Sequence, residues 1–171
     1  EQKVINDIIA LSFLLGNDFI PSIRGVSDTL NVYFATDFYN LFKAYFAINY
    51  SKTENSDTPF KYLIENNCFN VEVLKQLILN FTNKTAFPPV IGNLEDETQK
   101  AQAILRTFNF TYLMYTGKLP SWTYYYPYLD HPNLLTSVSL MTQEGPEFFE
   151  TIQSDDVIDP YLKALVIHPA Q

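Results

Sequence analysis

The carboxylate best placed for chemistry is Asp18, in the stretch Leu14-Leu15-Gly16-Asn17-Asp18-Phe19-Ile20-Pro21. An apolar segment runs into Gly16, and the carbonyl end of a helix carries partial negative charge, so a carboxylate just beyond it is disfavoured by the dipole. Phe19 and Ile20 add a desolvation cost that raises its pKa or demands a partner. A divalent cation answers both problems: Mg²⁺ takes one or two protein carboxylates and fills its other positions with water and phosphate oxygens. Ordinary turn chemistry answers them too, with the Asp18 side chain accepting from nearby backbone N–H groups. Spacing alone leaves both readings open.

Companions for Asp18 are hard to find. Two-metal phosphoryl chemistry needs several carboxylates converging on ions about 4 Å apart. Glu95, Asp96 and Glu97 stand where a helix begins and suit its dipole. Asp155 and Asp156 sit in a polar stretch, Asp159 reads as a helix cap, and His131 and His168 each stand alone beside a proline. No Ser-His-Asp set, phosphate-binding glycine loop or dinucleotide fingerprint is present, and the single cysteine, Cys68, excludes an intrachain disulfide and a cysteine-based zinc site. A complete catalytic site is not expected from these residues. The other candidates are aromatic: Trp122, the one tryptophan, and Tyr124 beside it. A base stacks on any aromatic face, which suits a site that must accept every nucleotide in turn. Equally, such rings can roof a helical core.

The elements that must hold these residues read as helices. Residues 3–15 are apolar on nearly every side, which predicts a helix buried all round, ended by Gly16. Residues 37–49 put Phe38, Leu41, Phe42, Tyr45 and Phe46 on one face, with Thr36 or Asp37 as cap. The polar run 51–58 reads as a surface loop, and Pro59 predicts the first turn of a short helix. Asn70 caps the next helix, in which Leu74, Leu77, Ile78 and Phe81 share a face. Residues 95–116 form the longest helix, stopped by Gly117, and residues 132–142 and 160–167 predict two more. Residues 118–132, rich in proline and aromatics, have neither helical nor alternating period and predict an ordered extended segment across the core. The expected architecture is all-α: one irregular helical domain over residues 1–171, without a convincing strand.

Composition limits the partners. Hydrophobic residues make up 47% of the chain, enough for a packed core. The net charge is −8, and the eleven Lys and Arg form no cluster along the sequence, which predicts no basic face for nucleic acid. The longest apolar run, residues 8–15, is too short to span a bilayer, so no membrane partner is expected.

Taken together, four blocks resemble the XRN family of 5′→3′ exoribonucleases. Residues 13–21, FLLGNDFIP, are similar to the family's buried helix ending in Gly-Asn-Asp-Phe-Leu-Pro. Residues 62–81, YLIENNCFNVEVLKQLILNF, are similar to its Tyr-Leu-Thr-Glu-Asn segment and following helix. Residues 112–128, YLMYTGKLPSWTYYYPY, resemble its Tyr-Tyr-x-Gly-x-x-Ser-Trp-x-Trp-Tyr-Tyr-Pro-Tyr stretch, and residues 159–169, DPYLKALVIHP, its Pro-Phe-x-x-Leu-x-x-Val-Leu-Pro. The four occur in family order and cover nearly the whole chain. Departures are Tyr124 at the second Trp, Leu129-Asp130-His131-Pro132 after the Pro-Tyr, and Ser22 where His is common.

The resemblance implies the C-terminal, helical part of a catalytic region whose α/β nuclease domain lies upstream. It implies Asp18 as a catalytic metal ligand for Mg²⁺ or Mn²⁺, shared with carboxylates of that domain. Trp122, with Tyr124 in reserve, becomes a stacking residue for RNA bearing a 5′-monophosphate. The parent would degrade that RNA processively to mononucleotides, inside the cell, in nucleus or cytoplasm. By itself the chain is expected to be inactive. The competing expectations are a non-catalytic helical scaffold and a flap-type structure-specific 5′ nuclease.

Overall fold

A computed structural model describes residues 1–16, 34–50, 59–121, 124–128 and 133–150. Among them are helices α1 (Gln2–Phe13), α2 (Phe34–Tyr50), α3 (Val71–Phe81), α4 (Leu94–Tyr115), α5 (Leu134–Leu140) and α6 (Glu147–Glu150), with one hairpin of β1 (Ile64–Glu65) and β2 (Cys68–Phe69). The described fold is therefore mostly helical. Helix α3 packs between α2 and α5, and α5 lies on α4. Leu11, Leu41, Tyr45, Leu74, Ile104 and Phe108, drawn from four helices, meet in one core. A smaller cluster forms where Phe110 and Leu113 of α4 meet Phe149 of α6.

Local chemistry explains the helix ends. The Asn70 side chain accepts from the Val73 N–H at 3.1 Å, and Asn93 and Asn133 cap α4 and α5 in the same way. Gly16 (φ +87°) and Gly117 (φ +80°) take the left-handed conformation that stops a helix. Helix α2 begins at Phe34 rather than at a Thr36 or Asp37 cap, which leaves Asp37 in the first turn, where its charge suits the dipole.

Two expectations are corrected. The segment after Pro59 is not a helix, because its backbone donors are taken by side chains from elsewhere. Asn49 brackets Lys61, accepting from its N–H at 2.8 Å and donating to its carbonyl at 3.1 Å. The Leu63 and Ile64 N–H groups donate to Asp7 at 2.9 and 2.8 Å. The chain then pairs as an antiparallel hairpin with Ile64 opposite Phe69. Its two-residue turn is Asn66-Asn67, with φ +51° and +62°, the positive pair that a type I′ turn requires.

Helix α1 is not buried all round. Ile5 and Ile9 are exposed, at 47% and 37%, whereas Asp7 is fully buried. The helix enclosed on every side is α4, buried from Ala101 to Leu113 except at Arg106. It carries polar groups through the interior because each is satisfied there. Asn109 accepts from the Phe69 N–H at 2.8 Å, and Gln102 exchanges hydrogen bonds with the Thr142 backbone at 3.0 and 3.1 Å.

Candidate functional site

The site implied by the sequence starts at the end of α1. Leu14 and Leu15 are buried, the Gly16 N–H donates to the Phe13 carbonyl at 3.0 Å, and the positive φ of Gly16 ends the helix. Asp18 follows two residues later and lies outside the described residues, as do Trp122, His131, Asp155, Asp156, Asp159 and His168. Among the described residues no three of His, Cys, Asp and Glu come together as a metal-binding group. Cys68 is buried, and burial pushes its thiol up to about 11, with Glu147 and Glu144 adding to the shift. The described side chains therefore do not by themselves fit a two-metal centre, and a cation at Asp18 needs its remaining ligands from elsewhere.

Tyr124 is described, and it is engaged. Its hydroxyl lies 3.1 Å from Thr107 Oγ1 and donates to the Ala103 carbonyl at 3.3 Å. Its ring sits 4.9 Å from Phe110, tilted by 34°, and 5.5 Å from Phe149, nearly edge-on. Burial pushes the phenol up to about 12, against the opposing pull of Thr107 and Arg106. The residue is half-buried. Around it, residues 118–121 and 124–128 take neither helix nor strand.

Beside this cluster Arg106 grips Glu144 with two hydrogen bonds, Nε at 2.8 Å and Nη2 at 2.7 Å, and lays its guanidinium 4.0 Å over Phe148. The fork is pre-organised for a carboxylate, so little side-chain entropy is lost. It ties α4 to the segment leading into α6. Burial raises the Glu144 carboxyl, but Arg106 and Gln102 together bring it below the ordinary carboxylate value. A depressed folded pKa means stabilisation present above the unfolded value, 4.5, and lost as pH falls through the folded value. The melting-temperature gap between wild type and Glu144→Gln should therefore be widest near neutrality and narrow on acidification below about 4.5. A gap that is constant from neutral to acid pH would contradict the ion pair.

Sequence reasoning missed the buried ionisable centre of the described fold. Asp7 is inaccessible to solvent, and its carboxylate accepts from the Tyr45 hydroxyl as well as from the Leu63 and Ile64 N–H groups. Burial raises its pKa, with the three hydrogen bonds opposing, and raises that of Tyr45 as well. The available signal was an aspartate directly before the apolar run at residues 8–11 of α1. Its three donors serve a structural role, fastening α1 to α2 and to the hairpin. Against protein-family models, curated proteins and solved structures alike, the chain gives no match.

Proposed function

We propose that this chain is the helical part of a 5′→3′ exoribonuclease of the XRN type, working with an α/β nuclease domain upstream. Supporting this reading are the four blocks at residues 13–21, 62–81, 112–128 and 159–169, in family order. The observation that carries it is the end of α1, where buried Phe13, Leu14 and Leu15 run into Gly16 at φ +87°. A metal ligand needs rigid support from the element that carries it, and a buried helix end two residues before Asp18 in the sequence is support of that kind. Turn capping needs no such support.

In this reading Asp18 is the chain's ligand to Mg²⁺ or Mn²⁺, which supplies phosphate polarisation and water activation. Residues 118–121 and 124–128, which take neither helix nor strand, belong in this reading to an aromatic strap held at Tyr124 by Thr107 and Ala103. Because the Tyr124 ring already packs on Phe110 and Phe149, Trp122 is the better base platform. The substrate is RNA with a 5′-monophosphate, degraded processively inside the cell.

The test compares the isolated chain with a polypeptide joining it to the upstream domain, on RNAs bearing a 5′-monophosphate or a 5′-hydroxyl. Mononucleotides should be released in Mg²⁺ by the joined polypeptide, from the monophosphate alone. The isolated chain should be folded by circular dichroism yet inactive. Chelator-sensitive degradation by the isolated chain overturns the reading. Cleavage only at duplex junctions favours the flap-type nuclease, and an inert joined polypeptide favours the scaffold.

A further inference from the structure

In a chain of net charge −8, one groove has no acidic side chain among the described residues of its lining. It runs between α2 and α3, whose contact is fixed by Asn80 Nδ2 donating to the Ala44 carbonyl at 3.3 Å. Ala44 and Ala47 are small, which leaves the trough open. One part, of about 570 Å³, is lined by Asn40, Lys43, Asn80, Asn83 and Lys84 among others. A second part, of about 630 Å³, shares Ala47, Asn80 and Lys84 and extends to Lys61 and Gln76.

Among the described residues the lysines of this groove, like Lys3 over the Tyr62 ring and Lys118 on Asn67, lack the glutamate partner that the remaining cations have. Lys75, Lys100 and Arg106 each pair with a glutamate. Among the described residues Lys43, Lys61 and Lys84 have no carboxylate partner: Lys61 donates to the Gln76 amide at 3.2 Å, and Lys43 stands 5.5 Å over the Tyr39 ring. The three come from separate segments, so the basic face that the sequence did not show is made by packing. Along the flank of α2, the four- and seven-residue spacings set Tyr39, Lys43 and Tyr50 on one side. Both tyrosines are largely exposed, at 60% and 79%.

An elongated trough whose described lining carries no carboxylate, with ammonium groups inside and exposed tyrosines on its flank, matches the chemistry of single-stranded nucleic acid. Such a ligand offers a line of phosphates and a row of bases that stack without sequence preference. An acidic peptide would use the lysines but leave the tyrosines idle. We infer that the α2–α3 groove binds the phosphate backbone of a single strand through Lys43, Lys61 and Lys84, with Tyr39 and Tyr50 offering faces to its bases. The site uses neither Asp18 nor Trp122, and stands whether or not the chain serves a nuclease.

The experiment measures binding of the full chain to a fluorescent 5′-hydroxyl oligouridine by anisotropy, in chelator, across a range of salt. Three phosphate contacts to a single strand predict a slope of log affinity on log salt of about −2. Lys43→Glu with Lys84→Glu should lower affinity about tenfold or more and flatten the slope by about 1 or more. The charge-matched pair Lys75→Glu with Lys100→Glu should leave affinity within about twofold, since neither residue lines the groove. Tyr39→Ala with Tyr50→Ala should weaken binding even at high salt. Equal losses from the two lysine pairs, binding that ignores salt, or no binding overturns the inference. Displacement by polyglutamate as readily as by polyuridine also overturns it, in favour of an acidic polypeptide ligand. If the double glutamate variant melts early, Lys43→Gln with Lys84→Gln removes the charge while keeping most of the side-chain bulk.

Discussion

Asp18→Asn, made in the polypeptide that joins this chain to its upstream domain, should reduce hydrolysis of 5′-monophosphorylated RNA about a thousandfold or more while leaving the melting temperature in place. The change removes a charge but almost no volume. A metal ligand contributes several kcal/mol of transition-state stabilisation, and each 1.36 kcal/mol is about a factor of ten in rate. Single-turnover cleavage with enzyme in excess separates this loss from any change in RNA affinity. Cleavage by the variant at the wild-type rate would make Asp18 a turn residue and remove the metal assignment. A lower melting temperature with unchanged cleavage per folded molecule would point the same way.

The second large effect is on stability and concerns Asp7. Replacing it by alanine strands three buried donors, the Tyr45 hydroxyl and the Leu63 and Ile64 N–H groups. At about 1–3 kcal/mol for each unsatisfied group, the loss is about 3–9 kcal/mol. That is a large share of the roughly 5–15 kcal/mol that holds a typical domain together. Tyr45→Phe removes one donor and leaves the other two satisfied, so it should cost only about 1 kcal/mol. Denaturant melts of the two variants decide the matter, and comparable small losses from both would refute a carboxylate-centred anchor. The pH dependence has the opposite sign to that of Glu144. Since burial raises the Asp7 pKa above its ordinary 3.8, the folded state holds that proton more tightly. Its contribution is fully present below the unfolded pKa and declines as pH rises through the folded value. Wild type should lose stability relative to Asp7→Asn over that interval.

Local features were legible in the sequence, and features made by distant partners were not. Asn70, Gly16 and Gly117 announce their helix ends because a cap is a contact within one turn. The hairpin escaped because its preceding strand is held by Asp7 and Asn49, which neither periodicity nor propensity can see. Asn66-Asn67 was the missed cue, since asparagine tolerates the left-handed region better than most residues. Helix α4 looked no more buried than its neighbours because its interior face is polar. Gln102, Thr107 and Asn109 are affordable there only through partners elsewhere in the chain or one turn back. Asp18 and Trp122 were singled out on a resemblance rather than on geometry, and both lie outside the described residues. The groove lysines were invisible for the opposite reason: no motif links Lys43, Lys61 and Lys84, which are joined only by the packing of α2 against α3.

The distance between Asp7 and its donors has a consequence during synthesis. Its partners lie 38, 56 and 57 residues further along the chain. At about 5–20 residues per second, the last of them is made roughly 3–11 s after Asp7 itself. During that interval the apolar segment at residues 8–15 lacks the core partners that come later in the chain, first α2 and then the hairpin. A hydrated charge at the head of such a segment discourages association with other unfinished chains. The same carboxylate that later disappears into the interior is placed to act as a gatekeeper before its partners are made. An apolar residue of matching volume could fill the finished core and still lower the yield of folded protein.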